Sequence, residues 1–309
     1  MFEGPLRSTK FAVALMLLMS GCDFPRPELL APPDAASPAM CDPLAPFDRI
    51  VPVMGLAGAG PQGTCRLSPD ELTLYFSADD IYVATRATRE AAFGAPVTLA
   101  INSSEVDYDP YITPDGMTLV FGSARETTGQ RVWRAQASDS ADGFTSPAML
   151  SPLLAGLADA DDEKQPFLSW DESQLWFVSS LAATGTQGQA EIWRVPRTAV
   201  GFGTPVLESQ LNSSRRDWLP MVSADQLTIY FASDRPVTPD PEGTLLHIWR
   251  SHRDHLDDEF PPPTPVTELN SGEHNTVPGW LSKDNCRLYF PKATLNYTES
   301  HLHMAVRDP

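Results

Sequence analysis

Leu67-Ser-Pro-Asp70-Glu-Leu-Thr-Leu-Tyr-Phe76 returns four more times along the chain. The later copies are Ile112-Thr-Pro-Asp115-Gly-Met-Thr-Leu-Val-Phe121, Leu168-Ser-Trp-Asp171-Glu-Ser-Gln-Leu-Trp-Phe177, Val222-Ser-Ala-Asp225-Gln-Leu-Thr-Ile-Tyr-Phe231 and Leu281-Ser-Lys-Asp284-Asn-Cys-Arg-Leu-Tyr-Phe290. In each, Ser or Thr stands two places before the Asp and Phe six places after it, and the Asp anchors lie 45, 56, 54 and 59 residues apart. A recurrence of this period marks a repeat architecture, in which each unit buries its apolar face against its neighbours. Each copy reads as a hairpin: an apolar strand, a turn whose short side chains bond nearby amides, and a second strand of period two. Leu74, Leu119, Leu175, Ile229 and Leu288 share a face with the Phe two places on, and that face is expected to be packed.

A third strand follows in every unit, at Ile81 to Arg86, Val132 to Ala137, Ile192 to Arg197, Ile248 to Arg253 and Leu302 to Arg307. A fourth begins near Phe93, Phe144, Phe202 and Phe260, but the last unit ends after its third. The missing strand is expected at the other end, where Phe47-Asp-Arg-Ile-Val51 precedes the first anchor as Phe93 to Val97 precedes the second. The reading is therefore an all-β, five-bladed β-propeller over residues 47 to 309, closed by residues 47–51 completing the last blade. The Ser-x-Asp-Gly-x-x-Leu-x-Phe pattern followed by Ile-Trp-Arg resembles the WD-like β-propeller repeats of the TolB type. That resemblance implies an exported or lipid-anchored binding scaffold of the bacterial envelope. Only Gly116 supplies the family's turn glycine, with Glu71, Glu172, Gln226 and Asn285 in the other copies, so those turns are expected to be looser.

Ahead of the ring, Arg7 and Lys10 precede the nine-residue apolar run Phe11 to Met19, too short to remain as a membrane span. Leu18-Met19-Ser20-Gly21-Cys22 resembles a bacterial lipobox, so residues 1–21 read as a lipoprotein signal peptide and Cys22 as the lipidated residue. Residues 22–46, rich in Pro and Ala, read as a tether. The expected location is the cell envelope, on the outer membrane or the periplasmic face of the inner membrane, held by the lipid alone. Asp23 resembles the inner-membrane retention signal of some bacteria. Of the remaining cysteines, Cys286 follows a first hairpin turn at the blade end where the borrowed strand would begin, and Cys41 precedes that strand. A Cys41–Cys286 bridge would staple the closure, leaving Cys65 unpaired.

The formal net charge is -18, from 22 Lys and Arg against 40 Asp and Glu, which excludes nucleic acid as a partner. The anchor aspartates recur in every blade and read as turn residues, because catalytic carboxylates need two different environments at one place. Three places before Pro110, Pro166, Pro220 and Pro278 lie Asp107, Glu163, Asp217 and Asn275, with Gln62 at the matching place of the first blade. These five oxygens could meet at one mouth of the central channel, where Trp218 and Trp280 could stack on a sugar ring or a peptide. The regular recurrence also suits a purely structural ring bonded to backbone amides. His301 and His303 share a strand face but have no Cys or carboxylate at ligand spacing, so no metal is expected, nor any cofactor. Gly58-Ala-Gly60 precedes a strand rather than a helix and is no phosphate cradle. The leading expectation is a monomeric, non-enzymatic scaffold for an envelope protein, peptide or glycan. The competing one is a glycoside hydrolase or lyase, since five-bladed rings also house arabinanase-like enzymes, with Asp107, Glu163 and Asp217 as its carboxylates.

Overall fold

The computed structural model describes residues 39–125, 129–137, 143–150, 153, 163–180, 190–199, 201–238 and 240–309. The expected signal peptide, Cys22 and the expected tether up to residue 38 lie outside them. The described residues contain strands and no helix, and the strands form five antiparallel sheets. In the first blade Cys65–Leu67, Thr73–Ala78, Asp80–Thr85 and Val97–Thr98 pair in chain order, and the second and fourth blades repeat that order. The last sheet is completed from the other end of the chain. Arg49–Pro52 pairs antiparallel with Ser300–Val306, from Arg49 opposite Val306 to Pro52 opposite His303. The ring is thus a five-bladed propeller closed by its N-terminal strand.

Leu74, Leu119, Leu175, Ile229, Leu288 and the five Phe two places on from them are fully buried. The Trp sites of the third strands face these Phe: Trp133 pairs with Phe121, Trp193 with Phe177 and Trp249 with Phe231. Tyr82 and His303 take the same place opposite Phe76 and Phe290. Each blade therefore turns one continuous apolar face to the next.

The anchor turns are uniform. Asp70 Oδ1 accepts from Ser68 Oγ at 2.6 Å and from the Leu72 amide at 3.0 Å. Asp115, Asp171, Asp225 and Asp284 repeat the pair of bonds. The expectation of looser turns is corrected: Glu71, Glu172, Gln226 and Asn285 adopt φ of 65°, 56°, 59° and 63°, beside 73° at Gly116. Their amides close the turns at 2.8 to 2.9 Å, as Gly116 does. A side chain in the left-handed region costs roughly 1–2 kcal/mol, and here it has contacts that glycine could not make. Buried Glu71 accepts from Arg287 Nε at 2.9 Å and Tyr289 Oη at 2.9 Å, tying the first blade to the last. Gln226 Nε2 donates to Asp171 at 3.1 Å, tying the fourth to the third.

The tether's end also shifts. Residues 41–43, expected in the tether, bond to the ring, and a compact unit begins at Ala39. The Cys41 amide donates to the Asp284 carbonyl at 2.9 Å, Arg307 Nη1 to the Asp42 carbonyl at 2.7 Å, and Arg250 Nη1 to the Pro43 carbonyl at 2.8 Å. A disulfide joins Cys41 to Cys286, and Cys65 is a buried free thiol. Phe47 is buried beneath the Arg307 guanidinium, 3.8 Å above its ring.

Candidate functional site

The five ring oxygens do not converge. Asp107 is fully buried beside its own loop: Oδ2 accepts from the Ser103 amide at 2.5 Å and Ser103 Oγ at 2.9 Å, and Oδ1 from Arg125 at 2.7 Å. Asp217 repeats this with Ser213 at 2.7 and 3.0 Å and Arg235 at 2.9 Å. Burial nevertheless pushes the Asp217 carboxyl up, with Arg235 opposing. Glu163 takes the Leu153 amide at 2.7 and 2.9 Å. Gln62 Oε1 accepts from the Leu302 amide at 3.0 Å, and Asn275 Oδ1 from the Leu246 amide at 2.8 Å. All five hold backbone of their own or the adjoining blade, as buried polar groups must. Among the described residues no cluster of His, Cys, Asp or Glu is suited to a metal ion.

The channel mouth on this side does form a cavity, of about 370 Å³, lined from all five blades. Of the seven residues expected there, Gln62, Asn275 and Trp218 line it, whereas Asp107, Glu163 and Asp217 do not. Trp280 lies at the opposite, narrow end of the channel with Trp170, their rings 6.2 Å apart. Its place on the strand explains this: it stands four residues before its anchor Asp284, whereas Trp218 stands seven before Asp225. Nor is Trp218 a bare platform. The Arg216 guanidinium lies 4.9 Å and the Lys164 ammonium 5.7 Å from its ring centre.

Each blade also brings one equivalent innermost-strand residue to the cavity: Thr64, Asp109, Gln165, Leu219 and Val277. Tyr108, Tyr297 and Asp79 form its rim with Trp218. Regular alternation hides this set, because the innermost strands of blades two, three and four slip register between Tyr108 and Tyr111, Lys164 and Phe167, and Trp218 and Met221. At each slip a non-glycine residue turns left-handed, with φ of 49° at Asp109, 57° at Gln165 and 54° at Leu219. Each precedes a proline, which lacks an amide for the ladder and restricts the residue before it. The prolines at 110, 166 and 220 were the available signal. Asp109 is 8% exposed, and its Oδ1 accepts from Thr64 Oγ1 at 2.5 Å. Burial pushes its carboxyl above the usual range, against that hydrogen bond and the charges of Arg66 and Lys164. Gln165 Oε1 accepts from the Leu219 amide at 3.1 Å. Arg66, Phe167 and Tyr111 are buried and pack on one another, the guanidinium 5.1 Å and the Tyr111 ring 4.9 Å from the Phe167 ring centre. Such a site can hold a ligand end-on by hydrocarbon and aromatic contact with a few polar groups at the floor.

No family model and no curated protein matches the chain. Among solved structures, a thermostable family-43 glycoside hydrolase is 12% identical, with 86% of this chain and 96% of that one covered at a TM-score of 0.55. The catalytic domain of a GH62 α-L-arabinofuranosidase from Coprinopsis cinerea is 10% identical, with 85% and 98% covered at 0.52. A putative TolB from Agrobacterium tumefaciens is 15% identical, with 77% and 72% covered at 0.48. At these identities, what the chain shares with the two glycoside hydrolases is the propeller fold.

Proposed function

We propose that this protein is a non-enzymatic, lipid-anchored envelope scaffold that binds a protein, peptide or glycan partner at the cavity mouth of its propeller. The observation that carries the reading is a division of labour. The repeated carboxylates Asp107 and Asp217 are held by their own loops and by Arg125 and Arg235, while the cavity is faced by residues that differ from blade to blade. Export is supported by the lipobox-like residues before Cys22 and by the Cys41–Cys286 disulfide, which belongs to an oxidising compartment. The described chain starts at Ala39 beside Cys286, in a turn at the opposite end of the fifth blade from the Tyr297 hairpin at the cavity.

The test is crosslinking in intact envelopes followed by capture of the full chain, comparing the native protein with Leu219→Arg, which fills the cavity. Loss of a reproducible partner supports the reading; unchanged partners refute it. Palmitate labelling abolished by Cys22→Ser would support the anchor, and labelling that survives would refute it. The second reading, a glycoside hydrolase, is favoured by the fold shared with the family-43 and GH62 enzymes. Its carboxylates would have to be Asp109 and Asp79, the two that line the cavity. Turnover of an aryl α-L-arabinofuranoside that disappears in Asp109→Asn would replace the scaffold reading with this one.

A further inference from the structure

The cavity floor has two halves. Thr64, Asp109 and Gln165 make it polar on blades one to three, and Leu219 and Val277 make it hydrocarbon on blades four and five. Only one oxygen of Asp109 is engaged, by Thr64, so the buried carboxylate retains an acceptor toward the cavity. Arg66 and Lys164 offset the cost of burying this carboxylate only in part, since desolvation still prevails. The backbone that aims it is costly too: left-handed non-glycine residues such as Asp109, Gln165 and Leu219 carry roughly 1–3 kcal/mol of strain each. Asp79 and Tyr297, on the cavity from blades one and five, are left-handed as well, with φ of 69° and 57°, so strained backbone gathers around the cavity.

We infer that the cavity receives a single cationic side chain, lysine or arginine, of a protein partner, with its charge on Asp109. This rests on the reading of the cavity as a binding site given above. Arg66, Phe167 and Tyr111 pack on one another in the interior of the ring, which favours a ligand that enters end-on. Leu219, Val277 and Tyr297 offer hydrocarbon and aromatic surface to the methylene stem, as long charged side chains prefer. Exposed Asp79 adds a second carboxylate at the rim, and a net charge of -18 favours a basic partner. Arg66 and Lys164 act on Asp109 by charge while their contacts are made elsewhere. Arg66 directs Nη1 to the carbonyls of Cys65 and Gly279 one layer below, and Lys164 lies over Trp218. Desolvation is the largest influence on Asp109, and an incoming cation offsets it.

The test is surface plasmon resonance with the detergent-solubilised full chain over immobilised, capped Gly-Gly-Lys-Gly-Gly, with arginine, citrulline and norleucine versions alongside. The lysine and arginine peptides are expected to bind about ten-fold or more tighter than the uncharged ones, and Asp109→Asn to remove that difference. Thermal melts of each variant confirm folding. Equal binding of lysine and norleucine, an unchanged preference in Asp109→Asn, or displacement by chitobiose in place of the lysine peptide would overturn the inference. Failure here separates from failure of the proposed function through the envelope capture. Partners lost with Leu219→Arg but kept with Asp109→Asn would leave the cavity a binding site and remove only the cation.

Discussion

Removing the Cys41–Cys286 bridge tests how the ring is closed. The bond joins residues 245 apart in sequence. A loop that long, released in the unfolded chain, is worth about 5 kcal/mol on the chain-entropy account, and measured values run nearer 2–4. The native state should change little. Residues 41 to 43 keep their bonds to Asp284, Arg307 and Arg250, and Arg49–Pro52 keeps its ladder with Ser300–Val306. The double variant Cys41→Ser/Cys286→Ser is therefore expected to fold to the same ring, with the free energy of unfolding in urea lowered by roughly 3–5 kcal/mol. At about 2–4 °C per kcal/mol for a chain of this size, the thermal midpoint should fall by about 10 °C. Urea titration followed by circular dichroism measures the first, and thermolysin digestion of the folded variant checks the second premise. A loss below about 1 kcal/mol would refute the chain-entropy estimate, and rapid cleavage at exposed Leu44 under native conditions would show that the bridge itself seats the segment.

Four further outcomes are expected. Cys65, buried with its thiol pushed up to about 12 by desolvation, should resist iodoacetamide at pH 8 in the folded protein and react fully in urea. Asp217→Ala should cost roughly 3–5 kcal/mol by stranding Arg235, while Asp217→Asn, which keeps an acceptor for Ser213, should lose less in the same urea assay. Asp109 has a folded carboxyl raised by burial, so its contribution is fully present below the unfolded value of 3.8 and is lost as pH rises through the folded value. Asp109→Asn should therefore melt no lower than the native protein at pH 7 and forfeit any advantage on acidification. His247 is the opposite case: burial lowers its pKa from 6.5, so the unfolded chain takes up the proton first and stability falls as pH drops below that value. A melting midpoint independent of pH between 7 and 5 would refute this.

The ring was legible because its packing repeats. One Leu or Ile and one Phe per blade fill equivalent volumes, so the same letters recur at each anchor, and the absent last strand had to come from residues near 47. Side chains that depart from the repeat were harder to place. Glu71 reads as a poor turn residue until Arg287 and Tyr289, 216 and 218 residues away, are brought against it. Asp107 and Asp217 recur, and recurrence placed them at the mouth, but a β-strand sends alternate residues to opposite sides and theirs is the loop side. Asp109, Gln165 and Leu219 escape the alternation altogether, because a bulge inserts a residue whose direction the two-residue period cannot state.

That contrast orders the molecule. At one end of the blades, all five anchor turns keep the same hydrogen bonds, and four accept a left-handed side chain without loosening. This end holds Asp284 and receives the chain from Ala39. At the other end the five blades agree in backbone position and disagree in chemistry: a hydroxyl, a carboxylate, an amide and two hydrocarbon side chains meet around one cavity. A ring that needed only to close would be expected to repeat its floor as it repeats its Phe layer, since like wedges are satisfied by like residues. The left-handed residues of three successive blades lie beside this asymmetric cavity, in keeping with the tendency of strained backbone to gather at functional sites.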